Sequence, residues 1–123
     1  PVSPGTWAYR QDTRGSMALF GVRESDASFT IRCDRAARQI YLSRQGATPG
    51  PLTIRTSSTA RALTARPAGG TPAYMAVALT ANDPVLDAMA YSRGRFIVEM
   101  PPLALLVVPT WSEVPRVIED CRG

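Results

Sequence analysis

The sequence predicts a mainly β protein, an antiparallel β-sandwich or partly open barrel with two short helices near its C-terminus. Three observations carry that expectation. Short apolar segments recur between turn residues along the first eighty positions, the pattern of a sheet protein. Within several of them apolar and polar residues alternate strictly, which marks strands with one buried face. Only after Thr80 does the apolar spacing change to the helical period, and it does so twice.

The elements follow in order. Residues 1–6 read as a flexible lead-in, and 7–123 as one β-rich domain of about eight or nine strands. Trp7–Arg10 and Ser16–Phe20 form the first two strands around the loop 11–15. In Ser28–Asp34, Phe29, Ile31 and Cys33 share one face, while Thr30, Arg32 and Asp34 share the other. Gln39–Arg44 turns Ile40 and Leu42 inward. The loop 45–51 leads to the pair Leu52–Ser57 and Arg61–Arg66, and Pro67–Pro72 punctuates the chain strongly. Tyr74–Thr80 is the next strand, with Met75, Val77 and Leu79 inward.

Asn82-Asp83-Pro84 then starts a helix, with Asp83 as cap and Pro84 at the first helical position. The helix ends near Ser92, and Gly94 takes the left-handed conformation beyond it. Arg95–Met100 is a strand. Leu103–Val108 is apolar on both faces and is expected to be covered on both sides. In the last helix, Ser112 is the expected cap. Val114, Val117, Ile118 and Cys121 fall at i, i+3, i+4 and i+7, one apolar face.

Both cysteines therefore lie on apolar faces, Cys33 on a strand and Cys121 on the terminal helix. They are 88 positions apart, which is no CxxC motif. Two readings stand: a disulfide in an exported protein, or two free buried thiols. The disulfide is the expectation. The chain opens Pro-Val-Ser-Pro-Gly-Thr with no initiator methionine. That suggests a trimmed start after a signal segment or lipoprotein anchor, or a domain cut from a longer chain. The expected setting is periplasmic or anchored at the outer envelope.

Composition narrows the chemistry. The formal charge is +4, all fourteen basic residues are arginine, and there is no histidine. A histidine base, a serine–histidine triad and an imidazole metal site are thereby excluded. No motif implies a catalytic residue, a metal or a cofactor, and the expectation is that the protein is not an enzyme. The arginines are scattered rather than clustered, which points away from nucleic acid. No stretch approaches the roughly 20 apolar residues of a transmembrane helix. Arg93, Arg95 and Trp111 are the candidate surface contacts: two guanidinium groups flanking Gly94, and an aromatic after Pro109-Thr110. Arg32, Arg35 and Arg38 form a further basic group near one sheet edge.

Asn82-Asp-Pro-Val-Leu-Asp-Ala-Met-Ala-Tyr-Ser-Arg-Gly-Arg-Phe-Ile-Val-Glu99, Val108-Pro-Thr-Trp-Ser-Glu-Val-Pro-Arg-Val-Ile-Glu-Asp-Cys-Arg122 and Thr30-Ile-Arg-Cys-Asp-Arg35 resemble a group of uncharacterised exported proteins from GC-rich Gram-negative bacteria. The resemblance implies a periplasmic or lipoprotein setting and carries no functional residues. In layout alone the chain is similar to the invasion-associated locus B family, in which late strands precede a helix packed on the sheet.

The functional expectation is a non-enzymatic envelope protein that binds another protein or an envelope component through its sheet or loops. A periplasmic hydrolase inhibitor would use a protruding loop, 45–51 or 67–72. The alternative is a carrier of a small apolar ligand, with a pocket between sheet and helices.

Overall fold

The computed structural model describes residues 1–123. Strands hold 46% of the residues and helices 14%, so the mainly β class holds. The elements are β1 Thr6–Gln11, β2 Gly15–Gly21, β3 Phe29–Asp34, β4 Gln39–Gln45, β5 Pro51–Arg55, β6 Ala60–Thr64, β7 Arg66–Gly69 and β8 Tyr74–Thr80. Helix α1 Pro84–Ala90, strands β9 Arg95–Glu99 and β10 Leu106–Pro109, and helix α2 Glu113–Arg122 complete the chain. A six-stranded sheet runs β1-β2-β3-β4-β8-β7 and a four-stranded sheet runs β10-β9-β5-β6. The strand pairs are antiparallel, and the sheets do not close into a barrel.

Alternation decides what meets between the layers. Phe20, Phe29, Ile31, Ile40, Leu42, Met75 and Val77 of the larger sheet are buried with Leu52, Ile54, Phe96, Val98 and Val108 of the smaller one. Four strands cannot cover six, so α2 lies over the remainder, against β1 to β4. Its Val114, Val117, Ile118 and Cys121 are the buried face, as the spacing requires. Cys121 is bonded to Cys33, with their Cα atoms 5.5 Å apart.

Several boundaries differ from expectation. Of the segment 67–72 expected to be a break, Pro67–Gly69 belongs to β7 and 70–72 is the turn, so there are ten strands. Proline is tolerated there because β7 is a sheet edge, and the register shifts between Pro67 and Gly69. The expected strand Arg61–Arg66 is in fact divided. Its first part pairs with β5, and after Ala65 the chain crosses into the larger sheet. Leu103–Leu105 is not strand, and Leu105 is 50% exposed. The apolar run is not covered on both sides because β10 is an edge. Leu103 instead packs over Gly46, where an added Cβ would lie 2.7 Å from its Cδ1.

Asp83 caps α1 as expected, accepting from the Val85 N–H at 2.9 Å. Gly94 has φ +75, the left-handed turn foreseen for it. Ser112 does not cap α2: its backbone is already helical, and its hydroxyl makes no capping bond. The lead-in is held at Ser3, whose N–H donates to the Val107 carbonyl at 2.8 Å while its hydroxyl accepts from the Val107 N–H at 2.9 Å.

Candidate functional site

The outer face of the six-stranded sheet carries a groove that runs across the strands. Its floor is one register row: Ala8 opposite Leu19, then Thr30, Ser43, Ala76 and Arg66. These side chains are mostly small, so the row lies low. Six strands at the usual spacing make it about 24 Å long. Thr30 is buried although it faces outward, as a deep floor requires. The adjacent row, Arg10, Met17, Arg32 and Tyr41, is taller and forms one wall. The segment 22–27 and Tyr74 form the other, joined by the Tyr74 hydroxyl donating to the Ala27 carbonyl at 2.6 Å.

Three open depressions mark this face. The central one, about 500 Å³, is bounded by Arg10, Leu19, Asp26, Thr30, Ser43 and Tyr74. A second, about 790 Å³, extends over β1 and β2 under Arg23 and Glu24. The third, about 440 Å³, is a separate hollow beside Tyr41, Arg66 and Ala78 that shares no lining residue with the other two. The wall is set electrostatically. Arg32 is tied to Asp12 at 2.8 Å, and this bond holds the Asp12 carboxyl below its ordinary range. Burial, and then the charge of Asp26, push the Tyr74 phenol upward, so it stays a proton donor. Arg10, Arg23 and Arg66 have no carboxylate partner.

The candidate contacts from the sequence lie elsewhere, and the fold brings them to one end of the smaller sheet. Arg95 pairs with Pro109 in register, and the Thr110 N–H donates to the Gly94 carbonyl at 3.0 Å. Trp111 therefore stands near the Arg93-Gly94-Arg95 turn, 44% exposed, with Tyr91 of the same turn 81% exposed. Neither guanidinium is ion-paired. The group Arg32, Arg35 and Arg38 does not act together. Arg32 faces the groove, whereas Arg35 and Arg38 donate to the carbonyls of Asp120 and Gly123 at the end of α2, where cations suit the helix dipole.

Two buried polar features escaped the sequence reading. Ser16 donates to the Asp120 carboxylate at 2.6 Å, and the Tyr9 hydroxyl donates to the same oxygen. Arg116 stacks on the Tyr9 ring at 3.9 Å. This is a clamp between α2 and the sheet: Ser16 is fully buried and meets no solvent. The second is Arg44, buried on the inner face of β4 and bonded only to the carbonyls of Gln45 and Ala104. Strand parity signalled both, since Ser16 alternates with Ala18 and Phe20, and Arg44 with Ile40 and Leu42.

No group of three or more acidic or cysteine side chains is placed to hold a metal ion. No helix is long and apolar enough to cross a membrane. No protein-family model, curated protein or solved structure matches the chain.

Proposed function

We propose that this chain is an exported, non-enzymatic binding protein of the cell envelope, which holds a partner protein or envelope component in the transverse groove. The carrying observation is the groove itself: a row of mostly small side chains across the sheet, recessed at Thr30 and Ser43 between Arg10–Met17 on one side and Asp26–Tyr74 on the other. Its floor is made of side chains on strands, so the surface is held rigidly. The unpaired Arg10, Arg23 and Arg66 along it favour a partner with acidic or hydrogen-bond-accepting groups. The disulfide is compatible with an oxidising compartment.

The filled core speaks for this reading over a small apolar-ligand carrier, because 27 buried residues pack between the layers and the depressions described are open to solvent. It also speaks against nucleophilic chemistry at Ser16, whose hydroxyl is spent on Asp120 inside the protein. The inhibitor reading keeps a basis in the loop 45–51, because 67–69 of the other candidate loop is strand β7; the Gly46 N–H donates to the carbonyl of Ala73, just beyond that second segment, at 2.9 Å.

A second binding reading rests on the Tyr91, Arg93, Arg95 and Trp111 end, where exposed aromatics adjoin unpaired cations. One experiment separates the two. Immobilised protein is offered envelope extract, and the retained species is compared between variants. Ser43→Arg, which fills the groove, is expected to abolish retention while the melting temperature stays near that of the wild type. The triple variant Arg93→Ala, Arg95→Ala, Trp111→Ala is expected to retain as well as the wild type. The reverse result would move the site to that end.

A further inference from the structure

We infer that β6 is a self-pairing edge, through which two copies of this chain join their four-stranded sheets into one of eight strands. The inference is independent of the groove. It starts from how the four sheet edges are treated. An uncovered edge presents unpaired N–H and C=O groups, which folded proteins usually block. Ser3 occupies both backbone groups of Val107 on β10. β7 carries Pro67 and a register shift. β1 carries Arg10 and has Arg116 stacked beside it on Tyr9. β6 has no proline and no register shift, its residues other than Leu63 are exposed, its one charge, Arg61, is paired with Asp83, and an open depression of about 350 Å³ adjoins it.

The hydrogen-bonding register shows which groups are free. Thr56 N–H donates to the Thr59 carbonyl at 2.8 Å, closing the β5–β6 hairpin. Antiparallel pairs alternate between bonded and non-bonded. Counting along the register, Arg61 and Leu63 bond to Ile54 and Leu52 of β5. Ala60, Ala62 and Thr64 therefore turn their N–H and C=O groups to the open edge. Pro51, which has no N–H to offer, sits opposite Thr64, a non-bonded position by the same count.

A second copy fits this edge in an antiparallel register centred on Ala62. Ala62 then exchanges both bonds with its counterpart, and Ala60 does so with Thr64 of the other copy. The side chains at these positions are small and stand on the outer face. On the inner face Arg61 of one copy meets Leu63 of the other, so no like charges are opposed. Arg61 is already neutralised by Asp83.

Sedimentation velocity over a concentration series tests the inference. The wild type is expected to show a concentration-dependent monomer–dimer equilibrium. Ala62→Pro removes the one N–H at the two-fold axis that points away from β5, leaving the hairpin ladder intact. It is expected to weaken dimerisation by at least about 10-fold. Ala62→Lys leaves every backbone group in place but opposes two charges across an approximately 5.5 Å Cα separation, and is also expected to be monomeric. Wild-type protein that stays monomeric into the hundreds of micromolar would overturn the inference. So would a Lys variant that is folded by circular dichroism and dimerises as the wild type does.

Discussion

Arg44 is the residue whose environment departs furthest from ordinary practice. Its guanidinium is buried with carbonyl partners only, its Nε has no partner, and burial lowers its pKa. A buried charge without a counter-charge costs stability, and an apolar chain of similar length removes that cost. Arg44→Met is expected to leave stability unchanged or raise it by about 1 to 2 kcal/mol. Arg44→Ala is expected to lower it by about 1 to 3 kcal/mol, through the lost packing of the stem against neighbouring core side chains. Urea denaturation of the two variants checks the contrast; equal losses in both would show that the carbonyl bonds outweigh the burial cost. Ser16 makes the opposite case. It too is buried and polar, but its hydroxyl is satisfied by Asp120, so it needs no compensation.

At the scale of elements, α1 and α2 are joined by one ionic clasp. Arg122 donates to both carboxylate oxygens of Asp87, at 2.7 and 3.2 Å, and its Nε donates to the Ala81 carbonyl at 2.7 Å. These bonds hold the Asp87 carboxyl below its ordinary value of 3.8. A carboxyl lowered in the folded state takes its proton first in the unfolded chain, so unfolding is favoured as protons are added. Its contribution is complete above the ordinary value and drains away as pH falls from 3.8 through the lowered folded value. Asp87 is about half exposed, so solvent screening reduces the effect to about 0.5 kcal/mol. Asp87→Asn is expected to flatten that part of the stability–pH curve, measured by thermal melts between pH 6 and about pH 2.5. An unchanged slope would show that other carboxylates carry the acid sensitivity.

For the whole molecule, the mismatch between six strands and four sets the architecture. The smaller sheet leaves part of the inner face of the larger one uncovered, and α2 fills that space. Burial of Val114, Val117 and Ile118 draws the helix down, while the Cys33–Cys121 bond closes a loop of 88 positions over it. A link of that span stabilises by roughly 4 kcal/mol in the chain-entropy model. Replacing both cysteines with alanine is expected to lower unfolding free energy by up to that amount, most visibly as early loosening of α2. Hydrogen exchange at Val117 and Ile118 would report it. Thiol titration of the unfolded, unreduced wild type is expected to find no reactive thiol.

The local rules of chain periodicity were enough for the strands that alternate, for the capped α1 and for the apolar face of α2. They placed both cysteines inward because parity and helical spacing depend only on neighbours in sequence. They failed where the outcome depends on which strand is an edge. Pro67 reads as a break until β7 is seen to have an open side, and Leu103–Leu105 reads as a buried strand until β10 proves to be the last of its sheet. The groove was illegible for the same reason. Ala8, Leu19, Thr30, Ser43, Ala76 and Arg66 come from six strands, and only their register puts them in one row. The sequence by itself determined the β class, the apolar inward faces and the inward placement of both cysteines; their bonding is a fact of the tertiary structure. The tertiary structure decided strand order, hence which small side chains line up and which edges stay open, because those depend on pairing between distant segments.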